Sequence, residues 1–214
     1  MGKYNVIKSF CFCFVVASLL LSGCATPDFS VTLKDNDPSK GVVVGTIFER
    51  SVFTPYGAIF KLQGPDGKII LLDRNPRYFK NENVTFEHKP PKVPMGVGRT
   101  FAIQLSPGRY KITSWGLDYG SRYKLSDEPQ NPIEFDVVAN EAIYIGRLDA
   151  NRFLELASIH DNFNDDKKYF SELQNLRGFN LINKSLSVNG WWLPNATGKE
   201  MLKKHGKENV CEQC

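Results

Sequence analysis

From Gly41 to Ile159 the chain is written in short apolar, β-branched runs punctuated by turn residues. Val42-Val43-Val44-Gly45-Thr46-Ile47-Phe48 is the first of them. Ala58–Leu62 and Lys68–Leu72 flank Gly64-Pro65-Asp66-Gly67, where a proline fixes φ and glycines relax it, so the two runs are expected to pair as a hairpin. Asn83–Glu87 alternates weakly, and Val93–Gly98 reads as a loop. Thr100–Leu105 and Arg109–Trp115 are separated by Ser106-Pro107-Gly108. Phe101, Ile103 and Leu105 share a face by the two-residue period, as do Tyr110 and Ile112 on the return, which predicts a second hairpin. Ile133–Val138, a turn at Ala139-Asn140-Glu141, Ala142–Leu148, a turn at Asn151 and Phe153–Ile159 complete the series. About eight strands with turns every 8–12 residues or so predict a mainly β chain, an antiparallel β-sandwich. The lack of helical stretches between them argues against a parallel α/β sheet.

After Ile159 the period changes. Asn164 or Asp165 is placed to cap a helix running to about Arg177 and closed by Gly178. Tyr169, Phe170, Leu173 and Leu176 line one side of it, an apolar face suited to docking on the sandwich. Leu181–Val188 is a candidate edge strand. Thr197-Gly198-Lys199-Glu200 has capping-box spacing, with Gly206 placed to end a short second helix.

The first 24 residues follow another rule. Lys3 and Lys8 precede an apolar run, Ser9–Leu21, and Ser22-Gly23 lead into Cys24. A basic start, an apolar stretch of about 7–15 residues and a small-residue exit describe a secretory signal peptide, and the run falls short of the roughly 20 residues that a spanning helix needs. Leu21-Ser22-Gly23-Cys24 resembles the lipobox of bacterial lipoproteins. The resemblance implies lipidation of Cys24 with diacylglycerol and an N-acyl chain, and removal of residues 1–23. Ala25, where an aspartate would retain the protein at the inner membrane, resembles the pattern sorted to the cell outer membrane. An ordinary cleaved signal peptide or an N-terminal membrane helix is the plainer alternative. Ala25–Lys40, polar and broken by Pro27 and Pro38, reads as a tether reaching at most about 55 Å. The expected organisation is therefore a leader (1–23), a lipidated tether (24–40), a sandwich (41–160) and a helical appendage with a loose tail (161–214).

Removal of 23 of 214 residues leaves 191, and loss of Lys3 and Lys8 lowers the formal charge of +4 to +2. So small a balance gives no electrostatic pull toward nucleic acid. Of five cysteines, Cys11 and Cys13 leave with the leader and Cys24 takes the lipid. Cys211 and Cys214 remain as a possible disulfide in an oxidising compartment. Their C-x-x-C spacing is also that of redox pairs, but those stand at a helix N-terminus in a βαβ setting, and this pair closes the sequence.

Leu105-Ser106-Pro107-Gly108-Arg109-Tyr110-Lys111-Ile112 resembles the L-x-P-G-x-Y hairpin of transthyretin-like (carboxypeptidase-regulatory-like) domains, and Ala139–Gly146 is similar to a later stretch in them. The resemblance spans roughly Gly41 to Ile159. It implies a binding or scaffolding module and no particular chemistry.

Catalytic signals are weak. His88, His160 and His205 have no partner at metal-ligand spacing. No nucleophile elbow, H-E-x-x-H or P-loop occurs. Asp161-Asn162-Phe163-Asn164-Asp165-Asp166 fails the calcium-loop pattern and fits a helix start better. The best recognition candidate is Trp115–Tyr123, from which Trp115, Tyr119, Arg122 and Tyr123 are the ligand-binding candidates. The plainer alternative has Trp115 and Tyr123 filling the end of the core. Trp191-Trp192 is expected to send one indole inward and the other out. The expectation is a non-enzymatic, periplasm-facing lipoprotein without a metal or cofactor, anchored to the membrane and binding an envelope protein. A glycan-binding module, or an assembly lipoprotein of a secretion apparatus, is the alternative.

Overall fold

The computed structural model describes residues 37–51, 57–73, 84–87 (backbone), 96–120, 122–170, 176, 179–198 and 200, all within one compact unit, Val31–Cys214. The leader, Cys24, most of the tether, His88, His205, Cys211 and Cys214 lie outside the described residues.

The described chain is mainly β. Its strands are β1 (Gly41–Arg50), β2 (Ala58–Gln63), β3 (Ile69–Asp73), β4 (Val84–Glu87), β5 (Gly96–Leu105) and β6 (Gly108–Asp118), followed by β7 (Tyr123–Leu125), β8 (Ile133–Val137), β9 (Ala142–Asn151) and β10 (Leu156–His160). Helix α1 (Phe163–Phe170) precedes β11 (Leu181–Asn183) and β12 (Val188–Trp192). The larger sheet runs β12-β10-β9-β1-β5-β4, with β11 also on β9; the smaller runs β3-β2-β6-β7, with β8 also on β6. Apolar side chains of both sheets form one core. Val43, Ile47, Phe101, Ile103, Ile145 and Leu148 come from the larger, and Phe60, Leu62, Ile112, Trp115, Leu117 and Phe135 from the smaller.

β1 explains why its sequence is continuously apolar rather than alternating. Every residue of it except Arg50 is buried, because both of its faces are covered. Val43 and Ile47 enter the core, while Val42 and Val44 lie under α1 with Tyr144 and Phe170. The expected antiparallel pairing is corrected here: β1 pairs parallel with β9, as does β11, so the larger sheet is mixed. The β1–β9 register shifts between Val44 and Thr46, beside Gly146 at φ 121°. There a Cβ would come within 2.9 Å of Ile159 Cγ2. This irregularity divides one edge of β9, with β11 on residues 142–144 and β10 on 147–151.

The β2–β3 hairpin forms as expected, closed by Gly67 N–H donating to the Gly64 carbonyl at 2.9 Å, with Gly67 at φ 78°. The second predicted hairpin does not. β5 pairs with β1 and β4, and β6 pairs with β2, β7 and β8, so Ser106-Pro107 carries the chain from one sheet to the other. Tyr110 fixes this corner: its ring stacks on Phe135 at 5.9 Å and its hydroxyl donates to the Ser106 carbonyl at 2.9 Å, as in a tyrosine corner. Gly96–Gly98, expected as loop, are strand opposite Arg50–Phe48. Residues 152–155 are a turn, so β10 starts later than expected.

The helix starts earlier than its predicted cap. Asp161 Oδ1 accepts the Phe163 N–H at 3.0 Å, which takes the cap from Asn164 and Asp165 and holds the Asp161 carboxyl below its usual range. The predicted continuation through Leu173 to Arg177 falls largely outside the described residues. The expected edge strand is two strands, β11 on β9 and β12 on β10, so residues after 160 complete the larger sheet as well as covering it.

Candidate functional site

The β6–β7 hairpin closes on the pair Asp118–Tyr123. Asp118 Oδ1 accepts the Gly120 N–H at 2.6 Å, Tyr119 N–H donates to the Arg122 carbonyl at 3.0 Å, and Gly120 supplies φ 85°. Beside it lies the β9–β10 turn, where Asn151 Oδ1 accepts the N–H groups of Phe153 and Leu154. Both are short, self-bonded turns that leave a long strand, β6 or β9, which is how loops hold a fixed shape at the surface.

Arg152 joins them. Its guanidinium meets the fully buried Glu49 carboxylate at 2.7 Å, donates to the Asp118 carbonyl at 2.9 Å, and lies 4.9 Å from the centre of the Tyr119 ring. The Tyr119 hydroxyl donates to Glu155 Oε1 at 3.2 Å, and Lys124 Nζ meets Glu155 Oε2 at 2.6 Å. Burial, and then the Glu155 charge, push the Tyr119 hydroxyl above its ordinary pKa and keep it a donor. On these two turns and on β7, Tyr119, Tyr123, Leu125 and Phe153 remain 36–52% exposed, and Arg122 is exposed.

Tyr119, Arg122 and Tyr123 are thus brought together on the β6–β7 hairpin. Trp115 is not with them. It is fully buried in the core, its Nε1–H without a partner among the described residues. The sequence reading missed Glu49, Arg152 and Glu155, which carry no local motif.

A second feature lies beside the edge strand β12 of the larger sheet. The segment joining β7 to β8 and the edge strand β12 enclose a cleft of about 680 Å³, lined by residues 127–134 and 186–192. Trp191 is buried and donates Nε1–H to the Asp127 carbonyl at 3.3 Å; Trp192 is half-buried at the cleft.

A third polar group lies on the outer face of the larger sheet. Arg50 grips Asp149 at 2.9 Å, and Ser158 and His160 stand on the neighbouring strand. Burial raises the Asp149 carboxyl and lowers the His160 imidazole from their usual ranges. The three residue types of a hydrolytic triad occur together, yet Asp149 is held by arginine and the buried Ser158 Oγ accepts the Gly190 N–H. No hydrogen bond links serine to histidine or histidine to aspartate among the described residues, so nucleophile, base and orienting group are not assembled. The acid-rich stretch is structural: Asp161 caps α1, and Asp166 accepts from Tyr144 and Arg147. Among the described residues no group of three possible metal ligands occurs, and no helix is long and apolar enough to cross a membrane.

The fold defines a mainly β body of two sheets on one core. No family model matches the sequence, and no curated protein matches it. A solved leucine-rich repeat protein from Bacteroides thetaiotaomicron aligns with 54% of this chain and 12% of its own, at 15% identity and a TM-score of 0.32. So loose a likeness carries no argument about fold or function.

Proposed function

We propose that the protein is a non-enzymatic binding module of the bacterial envelope, lipidated at Cys24, anchored in the outer membrane and presenting the β6–β7 end of its sandwich to another envelope protein. The observation that carries this reading is the exposure of four large hydrophobics: Tyr119 and Phe153 on two turns joined through Arg152 and Glu155, and Tyr123 and Leu125 on the short strand β7 that leaves the first turn. Exposed tyrosines beside an arginine on a rigid base have the composition of a protein interface, where aromatic and arginine anchors dominate binding. Fixing the Tyr119 ring beforehand, on Arg152 and Glu155, reduces the ordering cost of association. The reading extends to a transthyretin-like sandwich, supported by two sheets on one core.

A photo-crosslinking residue replaces exposed Arg122 in the lipidated protein, in its own cells, so that the Tyr119–Glu155 bond is untouched. A discrete protein adduct is expected. Attachment to cell wall, or no adduct from folded, anchored protein, overturns the protein-partner reading. In the same cells Cys24→Ser is expected to move the protein out of the membrane fraction; retention there would refute the lipid anchor.

A further inference from the structure

We propose that the cleft between the β7–β8 segment and β12 is a second binding site, for a neutral oligosaccharide. Its volume, about 680 Å³, lies within the range of roughly 300–1,000 Å³ typical of small-ligand sites. The walls are built before any ligand arrives. Ser126 Oγ accepts the Trp115 N–H at 3.0 Å and donates to the Asp127 carbonyl at 2.9 Å. Trp191 Nε1 bonds that same carbonyl, so one peptide unit joins the two walls. Pro129 and Pro132 stiffen the segment, and Leu186 N–H donates to the Ile145 carbonyl at the far end of the other wall.

The lining selects the ligand. Trp192 offers an aromatic surface, and the electron-rich face of an indole favours the polarised C–H groups of a sugar ring. Gln130, Asn131 and Asn189 both donate and accept, as hydroxyl and acetamido groups require. The charged members, Asp127, Glu128 and Glu134, are all acids, and none of the lining residues is lysine or arginine. A phosphate, carboxylate or sulfate would enter against like charge, which excludes anionic glycans. A cationic peptide would also find carboxylates there, and its binding would weaken with salt where that of a neutral sugar would not.

The test uses full-length lipidated protein in a non-glycosidic detergent, titrated with the tetramer of N-acetylglucosamine and with maltotetraose and followed by calorimetry and indole fluorescence. Saturable binding of at least one is expected, unchanged between low and high salt because no ligand charge is involved. Trp192→Ala is expected to weaken it at least tenfold, Trp192→Phe to restore most of it, and Glu128→Gln to change it less than threefold. Thermal unfolding of each variant checks that the fold persists. No saturable binding of either probe, or an affinity indifferent to Trp192→Ala, overturns the proposal. So does a salt-sensitive preference for an arginine-rich peptide over both sugars. The result is independent of the Arg122 crosslink, because it rests on different residues and a different readout.

Discussion

Two arginines, one on β9 and one in the turn that follows it, each reach a carboxylate with no exposed surface, and they are used in opposite ways. Arg147 meets Asp166 of α1, whose other oxygen accepts the Tyr144 hydroxyl at 2.7 Å. Phe163 and Phe170, both within 6 Å of the Tyr144 ring, pack around that network. Arg152 meets Glu49 of β1, and its further contacts lead outward: to the Asp118 carbonyl, to the Tyr119 ring and, through Tyr119, to Glu155 and Lys124. A buried ion pair by itself is weak evidence of role, because desolvation offsets most of its attraction. What distinguishes these two is what the remaining donors hold in place. One pair fastens a helix to a sheet. The other sets the shape of an exposed surface.

Breaking the inner pair should cost the most. Asp166→Ala leaves Arg147 buried without its carboxylate and removes the acceptor for Tyr144, which should destabilise the protein by about 3–5 kcal/mol. Chemical denaturation followed by tryptophan fluorescence measures it, and crosslinking at Arg122 should survive in the molecules that remain folded. Glu49→Ala should cost less, about 2–3 kcal/mol, because Arg152 keeps the Asp118 and Gly57 carbonyls as acceptors. Its distinctive effect is on the surface: crosslinking at Arg122 should fall severalfold while the protein is still folded. Equal crosslinking losses in the two variants would erase the distinction. Tyr119→Phe removes one half-exposed hydrogen bond and should change stability by no more than about 1 kcal/mol.

The comparison also shows how far the sequence could be read. Strands such as β1 and the β2–β3 hairpin were legible because their signals are local: a β-branched run, and a Gly-Pro-Asp-Gly turn. Pro107-Gly108 has the same local chemistry, and there it misled. Whether such a turn folds back or crosses between sheets depends on which distant strands accept the two arms, and the parallel partnership of β1 with β9, about a hundred residues away, leaves no local mark. Trp115 shows the same limit at one residue. Strict alternation from Tyr110 and Ile112 turns it outward, but the β2–β6 register shift between Lys61 and Leu62 passes over Thr113 and turns Trp115 and Leu117 into the core. Tyr119, Arg122 and Tyr123 were findable from composition, since aromatics and glycines cluster there. Glu49 and Arg152 were not, being 103 residues apart and joined only by the fold. One strong hint was available for the cleft: in a strand at Trp191-Trp192 both indoles cannot point inward, and Trp192 is the one left half-buried at the surface.

The smallest expected effect separates the two regions by pH. His160 is half-buried on the outer face of the larger sheet, close to Asp149, Arg50 and Arg147. Burial lowers its pKa from the ordinary 6.5; the two guanidiniums add to the shift and Asp149 opposes it. The folded state therefore resists protonation more than the unfolded chain does. Stability from this residue is complete above about pH 6.5 and is lost as pH falls from there toward the depressed folded value, because the unfolded chain takes up the proton first. Denaturation midpoints between pH 5 and 8 should decline on the acid side in the native protein and decline less in His160→Gln. Tyr119→Phe, at the other end, should leave that slope as it is. If His160→Gln kept the full slope, the acid sensitivity would belong to the carboxylates, and the outer face would be no more responsive to pH than the loop end.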